Sequence, residues 1–391
     1  MGLSNRRDFL RKGASATASL AITGFMPRRI FAEAPSGFTR IAYRDLGSTG
    51  YKVSEIGFGA MNMRDPELVH AAIDNGINYI DTAYVYQRGQ NEEIIGQVMK
   101  TKRDKVFLTT KALGRDPKRL AEQVETSLKR LQLDHVDLLL FHDIDSRELA
   151  FNEDFRKVFD NAKRKGMTRF IGVSIHSNQA EVLNAVAEDD FWNAALVGYN
   201  YFSPKNIKPA IERTRKTGKA IIAMKNLLNP ATSPWSELDD IRAEKDSNIT
   251  AAQALIKWVL DDKYVDVTIP GMTSFEQLYE DLALMGMKMS FDNHEKVYKF
   301  GESIKKHYCC GVAGCTGCRD KCPKGVRIND INRCLGYANG YNDVRLAREN
   351  YNNLPTSSRV EVCKDCDECV VKCVNGLNLT ENIRQAKELF A

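Results

Sequence analysis

The stretch that decides the fold is KVFLTTKALGRDPKRLAEQVETSLKRLQLDHVDLLLFHDI, residues 105–144. It contains two runs of consecutive apolar residues, VFLTTKA and VDLLLFHDI, on either side of the amphipathic segment PKRLAEQVETSLKRLQ. Continuous apolar runs are typical of parallel strands buried on both faces, whereas a half-buried strand alternates. The stretch therefore predicts a strand, a helix and a second parallel strand.

The same alternation extends over residues 53–287. The other strand-like runs are SEIGFGA, INYIDTA, TRFIGVSI, AALVGYNY, KAIIAMKN and VDVTIPG, and several of the helical segments between them end in Gly or Asn-Gly. Eight such units in about 250 residues predict an α/β fold of the (β/α)8 TIM-barrel type. A doubly wound sheet is the alternative, but it requires a glycine-rich phosphate loop after its first strand. The segment GFGAMNMRD does not have that pattern, so the barrel is favoured.

Four polar side chains lie at the ends of three consecutive predicted strands. Asp81 ends the second strand, Tyr86 follows it, and Lys111 and His142 end the third and fourth. Barrel enzymes place their active sites at the carboxyl ends of the strands, so we expect these residues to converge. A phenol has a pKa of about 10 and needs a nearby cation to act as an acid. The set predicts a site in which Tyr86 protonates a carbonyl oxygen, Lys111 and Asp81 tune it, and His142 orients the carbonyl.

The chain resembles the aldo-keto reductase family over roughly residues 40–290, in the motifs DTAYVY (81–86), TTK (109–111) and LLLFHD (138–143). The resemblance implies that Tyr86 is the proton donor, with Lys111, Asp81 and His142 as its supporting residues. It also implies reduction of an aldehyde or ketone by NAD(P)H, or oxidation of the corresponding alcohol. The cofactor would lie extended across the mouth of the barrel.

The resemblance assigns cofactor binding to five residues, namely Ser174, Met224, Lys225, Ser274 and Glu280. Ser174 is expected to hold the carboxamide, and Glu280 the adenine or ribose. Ser274 followed by Gln277 predicts a capping box at a helix start. Its free amides can bind a pyrophosphate, although capping alone is an equal alternative.

Four positions depart from the family pattern on the cofactor side. Ile175 and Leu196 stand where an asparagine and a glutamine are usual, and Gly271 and Gln277 stand where NADP-preferring members carry lysine and arginine. A 2′-phosphate needs such cations. The sequence therefore favours NAD over NADP.

All ten cysteines lie within residues 309–373. The spacing C-x2-C-x2-C-x3-C of the second group is typical of a ferredoxin half-site that holds a [4Fe–4S] cluster. The first group, CCGVAGCTGCRDKCP, is less regular and leaves Cys309 or Cys310 open as a ligand; Cys310 is preferred. One cluster is expected and a second is possible, with these ligands: Cys322, Cys363, Cys366 and Cys369 for the first, and Cys310, Cys315, Cys318 and Cys373 for the second. Structural zinc is the alternative, and Cys334 has no assigned role.

The N-terminus SNRRDFLRK, followed by the apolar stretch GASATASLAITGFM, resembles a twin-arginine export signal. The apolar stretch is too short to span a bilayer. The formal net charge of +5 comes from residues 1–32, because the remaining residues carry equal numbers of acidic and basic side chains. We therefore expect no nucleic-acid partner and no membrane span in the mature chain. A periplasmic location is expected, with membrane anchoring if the signal is retained; a surface N-terminus is the alternative.

The sequence thus predicts three parts: the signal at 1–34, the barrel at 35–295 and a ferredoxin-like iron–sulfur domain at 296–391. The first hypothesis is an exported oxidoreductase that acts on a small carbonyl or alcohol substrate and exchanges electrons with a redox partner protein. The second is an iron–sulfur electron-transfer or assembly protein whose barrel does not catalyse, which Ile175 and Leu196 favour.

Overall fold

A computed structural model describes residues 41–227, 250–288, 291–304, 306–313, 315–341, 343–364, 366 and 368–391. All of them belong to one compact unit, Phe38–Ala391. The predicted export signal at 1–34 lies outside the described residues. Within the described ranges, no helix is long and apolar enough to cross a membrane.

Eight parallel strands form the central sheet of the described chain. An antiparallel hairpin, β1 (Tyr43–Asp45) and β2 (Lys52–Ser54), precedes them. The parallel strands are β3 (Phe58–Gly59), β4 (Tyr79–Asp81), β5 (Phe107–Ala112), β6 (Val136–Ile144), β7 (Thr168–Ile175), β8 (Ala194–Gly198), β9 (Ala220–Met224) and β10 (Val267–Thr268). Each pairs with the next in chain order, and parallel bridges join Ile56 to Thr268 and Gly59 to Gly271. Because these bridges place the first strand against the last, the sheet closes, and the predicted (β/α)8 barrel is confirmed.

Helices follow the strands as the periodicity predicts. They are α1 (Pro66–Asp74), α2 (Gln90–Lys102), α3 (Pro117–Leu131), α4 (Arg147–Phe151), α5 (Glu153–Arg164), α6 (Gln179–Ala187), α7 (Ile207–Lys216), α8 (Ala251–Leu260) and α9 (Phe275–Leu282). The starts of α1 and α3 share one sequence signal, an aspartate followed by proline. Asp65 and Asp116 each accept a hydrogen bond from a backbone N–H of the first turn, and the proline needs no partner there.

The lower interior of the barrel is filled with aromatic and aliphatic side chains. Tyr79 stacks on Phe107 with ring centroids 5.7 Å apart, and Phe107 stacks on Phe170 at 6.2 Å. Leu138 and Leu140 of β6 are buried in the same cluster. The floor is thus apolar and closed, so the polar strand ends lie at the opposite face, where an active site in this fold belongs.

The C-terminal part of the chain is helical and has its own apolar core. It contains α10 (Phe291–Ile304), α11 (Ile328–Asn339), α12 (Val344–Asn352) and α13 (Leu379–Phe390), with short 3₁₀ turns at Cys310–Ala313, Thr356–Ser358 and Val360–Cys363. Ile331, Leu335 and Tyr351 are buried in this core together with Cys334. The residues between the two cysteine groups therefore form two helices, and Cys334 belongs to their packing.

Candidate active site at the barrel mouth

Lys111 lies at the centre of the site and is completely buried. Its Nζ forms an ion pair with the Asp81 carboxylate and donates hydrogen bonds to the Thr82 carbonyl oxygen at 2.7 Å and to the Tyr86 hydroxyl at 3.2 Å. The parallel pairing of β4 with β5 sets Asp81 opposite Thr109, two residues before Lys111 on the same strand face. Three of the four predicted catalytic residues are therefore in direct contact.

Burial governs the electrostatics of this cluster. It lowers the pKa of Lys111 and raises the pKa of Asp81, because each charge is costly away from water, while their mutual attraction opposes both shifts. The pKa of Tyr86 is raised well above its usual range by burial, then by the Asp81 charge and the neighbouring Tyr337 and Tyr341. Burial therefore outweighs the hydrogen bond from Lys111 Nζ to the Tyr86 hydroxyl. Tyr86 is protonated at neutral pH, as a proton donor must be.

His142 is the fourth predicted residue, and it lies beside Tyr86. The two rings meet edge to face with centroids 6.2 Å apart, and His142 is buried. Its Nδ1 has no hydrogen-bond partner among the described residues. Burial, followed by the charges of Lys111 and Lys225, lowers its pKa well below the usual range. A neutral imidazole with an open nitrogen can contact a carbonyl oxygen next to the Tyr86 hydroxyl.

Sequence reasoning missed His176, which extends the site. Its Nε2 lies 3.3 Å from Ser174 Oγ, its Nδ1 lies 2.9 Å from Lys225 Nζ, and its ring centroid is 5.1 Å from that of His142. The signal was present in GVSIH, because residues two apart on a strand share a face. Ser174 and His176 thus point into the mouth together, whereas Ile175 between them is buried in the core outside the sheet.

Lys225 connects the mouth to the C-terminal segment. It adopts a left-handed backbone conformation with φ of 59°. Burial, followed by the charge of Arg333, lowers its pKa to about 7. Asn200 Nδ2 donates to the Lys225 carbonyl and lies 2.9 Å from the Tyr308 hydroxyl. Lys225 therefore faces the site, whereas Met224 is buried in the apolar barrel interior.

The start of α9 and Glu280 are engaged in helix capping and packing. Ser274 Oγ accepts from the Gln277 amide at 3.3 Å, but the Gln277 side chain accepts from the Thr273 amide at 2.8 Å. The capping box predicted at this helix is therefore only half present. The Glu280 carboxylate accepts a hydrogen bond from the Thr250 hydroxyl at the start of α8. Glu280 thus joins α8 to α9.

The C-terminal segment contacts the carboxyl face of the barrel at several points. Arg88, in the loop after β4, forms an ion pair with Glu349 of α12 at 3.3 Å. Arg319 Nη1 donates to the Asn178 side chain, after β7, at 3.4 Å. Together with the contact between Tyr308 and Asn200, these bonds come from three different strand-end loops. The segment therefore lies against the mouth that holds the predicted catalytic residues.

The cysteine thiols raise one another's pKa, and this influence crosses between the two predicted ligand sets, because Cys369 acts on Cys318. Burial raises the pKa of Cys309 to about 12, and the other thiols that raise it are those of Cys318, Cys373 and Cys315. Burial is also the largest cause of the raised pKa of Cys363, where the thiols that add to it are those of Cys322, Cys366 and Cys369. No disulfide joins the cysteines of the described chain. The described residues also contain no set of three or more His, Cys, Asp or Glu spaced to hold a metal ion.

Cys309 and Cys310, the two candidates for one ligand of the second cluster, lie in different surroundings. Cys309 packs against the same apolar core as Cys318 and Cys373, whereas Cys310 is buried in a second apolar cluster, against which Cys315 packs. Adjacent residues of a turn point in different directions, so the sequence alone did not distinguish them. Amide donors are also present, because the Gly317 and Asn375 amides donate to the sulfurs of Cys315 and Cys373, each at 3.4 Å.

A closed (β/α)8 barrel with a buried Lys–Asp pair beside a phenol at its mouth defines an oxidoreductase suited to carbonyl chemistry. The profile of the Aldo/keto reductase family matches residues 55–302. The chain belongs to this family, and it is an oxidoreductase of the family's NAD(P)-dependent class.

Individual relatives agree with this assignment. The chain is 26% identical over 277 residues to the uncharacterized oxidoreductase YqkF of Bacillus subtilis (strain 168), covering 61% of this chain and 89% of that protein. A crystal structure of the thermostable aldo-keto reductase Tm1743 with the inhibitor epalrestat matches with a TM-score of 0.55 at 27% identity, covering 67% of this chain and 100% of that one. An aldo-keto reductase of Klebsiella pneumoniae in complex with NADP and acetate shares the fold at 22% identity, with a TM-score of 0.53 and coverage of 66% and 94%.

Proposed function

We propose that this protein reduces a small aldehyde or ketone, or oxidises the corresponding alcohol, with NAD(P)H as the hydride donor, and that it carries iron–sulfur clusters in its C-terminal segment. The observation that carries the reductase part is the contact of Lys111 Nζ with the Asp81 carboxylate and the Tyr86 hydroxyl in a buried site. Buried charges of this kind are costly to maintain and cluster at functional sites.

Residues at the barrel mouth carry out the proton-transfer part of the reaction. The cofactor, when bound, supplies the hydride that reduces the carbonyl carbon. Tyr86 donates its proton to the carbonyl oxygen, and the Lys111 ammonium stabilises the phenolate left behind. Asp81 keeps Lys111 charged and in place. Neutral His142, whose ring meets that of Tyr86 edge to face, orients the oxygen by donating a ring N–H to it.

The cofactor side of the mouth fits a nicotinamide only in part. Ser174 offers a hydroxyl, and His176 beside it adds a nitrogen, but Ile175 and Leu196 are fully buried apolar residues. The Gln277 side chain accepts from Thr273 and supplies no cation for a 2′-phosphate. These contacts favour NAD over NADP, although the Klebsiella pneumoniae relative was crystallised with NADP.

A comparison of two tyrosine variants tests the reductase proposal. Titration with NADH and NADPH, followed by fluorescence, should show tighter binding of NADH. Tyr86→Phe should still bind cofactor but lose carbonyl reduction by about 100-fold or more, because general acid catalysis contributes about that much. Tyr84→Phe is the matched control, since Tyr84 lies on the same loop with its ring under Arg130. Full activity in Tyr86→Phe would refute the mechanism.

The iron–sulfur proposal is supported by the influence that thiols of the two cysteine runs have on one another. Cys309 and Cys363 each feel thiols of both runs, as the ferredoxin pattern requires, in which the fourth cysteine of each run serves the other cluster. The proposed ligand sets are Cys322, Cys363, Cys366 and Cys369 for one cluster, and Cys315, Cys318 and Cys373 with Cys309 or Cys310 for the other. The N–H donors to Cys315 and Cys373 are of the kind that tune cluster sulfurs. Each cluster would carry one electron, so exchange with a redox partner protein is part of this proposal.

Iron, sulfide and zinc content of anaerobically purified protein tests the clusters. We expect about eight iron and eight sulfide per chain and a broad visible absorption that bleaches on reduction, because two [4Fe–4S] clusters would be present. Zinc without sulfide would establish the structural alternative. Four iron per chain would establish a single cluster.

The electron-transfer alternative is favoured by the apolar residues Ile175 and Leu196 where carboxamide partners are usual. It predicts reducible clusters without cofactor binding, so the NADH titration distinguishes it from the reductase.

Export through the twin-arginine route, with a periplasmic location, is also part of the proposal and is supported by the motif SNRRDFLRK. Arg6→Lys together with Arg7→Lys should retain the protein in the cytoplasm, measured by cell fractionation.

A further inference from the structure

Lys225 also lies at the barrel mouth, and its surroundings differ from those of Lys111. Lys111 is completely buried and paired with the Asp81 carboxylate, so its ammonium is held as a charge. Lys225 is partly exposed, and no carboxylate of the described residues forms an ion pair with it. Its Nζ instead lies 2.9 Å from His176 Nδ1. A lysine without a carboxylate partner, next to an imidazole, is a nucleophile placed beside a base.

His176 is itself oriented by a third group. At the carboxyl end of β7, its Nε2 lies 3.3 Å from Ser174 Oγ. Burial, followed by the charge of Lys225, lowers the pKa of His176 well below its usual range, so the ring is neutral. A neutral ring that accepts from Lys225 at Nδ1 carries its own proton at Nε2, where Ser174 Oγ accepts it. The three side chains therefore supply a nucleophile, a base and a group that orients the base.

This group adjoins the residues of the proposed carbonyl site. The centroid of the His176 ring is 5.1 Å from that of the His142 ring, and the His142 ring lies 6.2 Å from the Tyr86 ring. Measured contacts thus connect the Lys225 amine to the proposed proton donor. A small aldehyde that enters the mouth therefore meets an amine as well as the phenol.

The backbone of Lys225 is held in an uncommon conformation. Its φ of 59° is left-handed, which is costly for a residue with a side chain. The fully buried Asn200 donates from Nδ2 to the Lys225 carbonyl at 2.9 Å, and the same nitrogen lies 2.9 Å from the Tyr308 hydroxyl. Strain of this kind persists where neighbouring groups fix it, and it is concentrated at functional sites.

We propose that Lys225 is a nucleophile that forms an imine with small aldehydes at the barrel mouth, with His176 as its base. The neutral amine adds to the carbonyl carbon, and the resulting carbinolamine loses water, so that a C=N bond replaces the C=O bond. His176 Nδ1 takes the proton that the nitrogen loses and returns it to the departing hydroxyl. Hydrolysis reverses the step, which needs no oxidant or reductant. This activity requires neither NADH nor an iron–sulfur cluster, so it goes beyond the proposed function.

The charges around Lys225 favour the neutral amine. Burial, followed by the charge of Arg333, lowers its pKa to about 7, while Asp143 and Asp330 act in the opposite direction. About half of the Lys225 side chains are then neutral at pH 7, against roughly one in two thousand for a lysine with the ordinary pKa of about 10.4. Aldehydes should therefore react at Lys225 much faster than at exposed lysines.

Reductive trapping in the full-length natural protein tests the proposal. The protein is incubated with propanal and sodium cyanoborohydride at pH 7 without NADH, and propylated lysines are identified by mass spectrometry of the digested protein. We expect labelling of Lys225 to be at least roughly 10-fold faster than labelling of Lys118, which is exposed at the start of α3. Equal rates at the two lysines, or labelling of Lys111 in place of Lys225, overturns the proposal.

The pH dependence distinguishes Lys225 from an ordinary lysine. Labelling of Lys225 should rise with pH and level off above about pH 8, because the amine is then almost fully neutral. Labelling of Lys118 should continue to rise towards pH 10. A rate at Lys225 that follows the Lys118 profile contradicts the proposal.

A pair of histidine variants tests the base. His176→Gln should slow the labelling of Lys225 at pH 9 by about 10-fold or more, because general base catalysis is lost while the amine stays neutral. His135→Gln is the matched control, since His135 lies just before β6 at the opposite end of the barrel. Equal rates in the two variants overturn the role of His176. The comparison of Lys225 with Lys118 needs only the natural protein, so it decides the proposal if a variant fails to fold.

Discussion

Replacing Lys111 with methionine should destabilise the protein strongly as well as inactivate it. Lys111 is fully buried and is the ion-pair partner of Asp81, whose second oxygen, Oδ2, already has no partner in the described chain. Removing one member of a buried pair leaves the other charge uncompensated, which costs about 3–5 kcal/mol. We therefore expect Lys111→Met to lower the free energy of unfolding by about that amount in urea denaturation at pH 7.

A double-variant cycle identifies the cause. Lys111→Met combined with Asp81→Leu removes both charges, and we expect it to regain about 2 kcal/mol relative to the sum of the single variants. Lys219→Met is the control, because Lys219 is nearly as buried but pairs at 3.6 Å with a fully exposed Asp190, which water can solvate after the change. Its cost should be about 1 kcal/mol. Strict additivity of Lys111→Met and Asp81→Leu would refute the reasoning.

Two other predictions concern single residues. Asp281 is buried, and its pKa is raised well above the usual range by burial and then by Glu280. The folded state therefore holds the proton more tightly than the unfolded chain, and stability falls as pH rises above the unfolded pKa of about 4. At pH 8, Asp281→Asn should therefore be more stable than the natural protein in urea denaturation. At pH 4 the variant should be no more stable than the natural protein. Cys309→Ser should lose about half of the iron and Cys310→Ser almost none, measured on anaerobic protein; the opposite result would restore Cys310 as the ligand.

The barrel and the positions of three candidate catalytic residues could be predicted because they depend on local pattern. A strand buried on both faces requires a continuous apolar run, and Asp81, Lys111 and His142 each interrupt such a run at its carboxyl end. The fold then brings neighbouring strand ends together without any further information. In a TIM barrel, a residue at the carboxyl end of a strand in the sequence can therefore be assigned to the barrel mouth in the structure.

The features of the site that could not be predicted depend on how individual side chains pack, which no periodic pattern encodes. Tyr337 and Tyr341, about 250 residues away, add to the rise in the pKa of Tyr86 that burial and Asp81 cause. The choice between Cys309 and Cys310 depended on which side of one turn faces the other thiols. Gln277 bonded to Thr273 where the capping pattern called for Ser274. The periodicity of the sequence does not predict such contacts, because each contact forms only when the chain packs.

The same long-range contacts make the acid at the mouth a joint property of the barrel and the C-terminal segment. Tyr86 lies on the barrel, yet α11 and the turn after it contribute Tyr337 and Tyr341 to its surroundings, and Arg333 helps to keep His142 neutral. If the segment moved away, water would reach the phenol, its pKa would fall towards 10, and the histidine would regain part of its basicity. Because the segment that adds to these pKa shifts also carries the cysteines, it connects the proposed proton donor with the proposed cluster ligands.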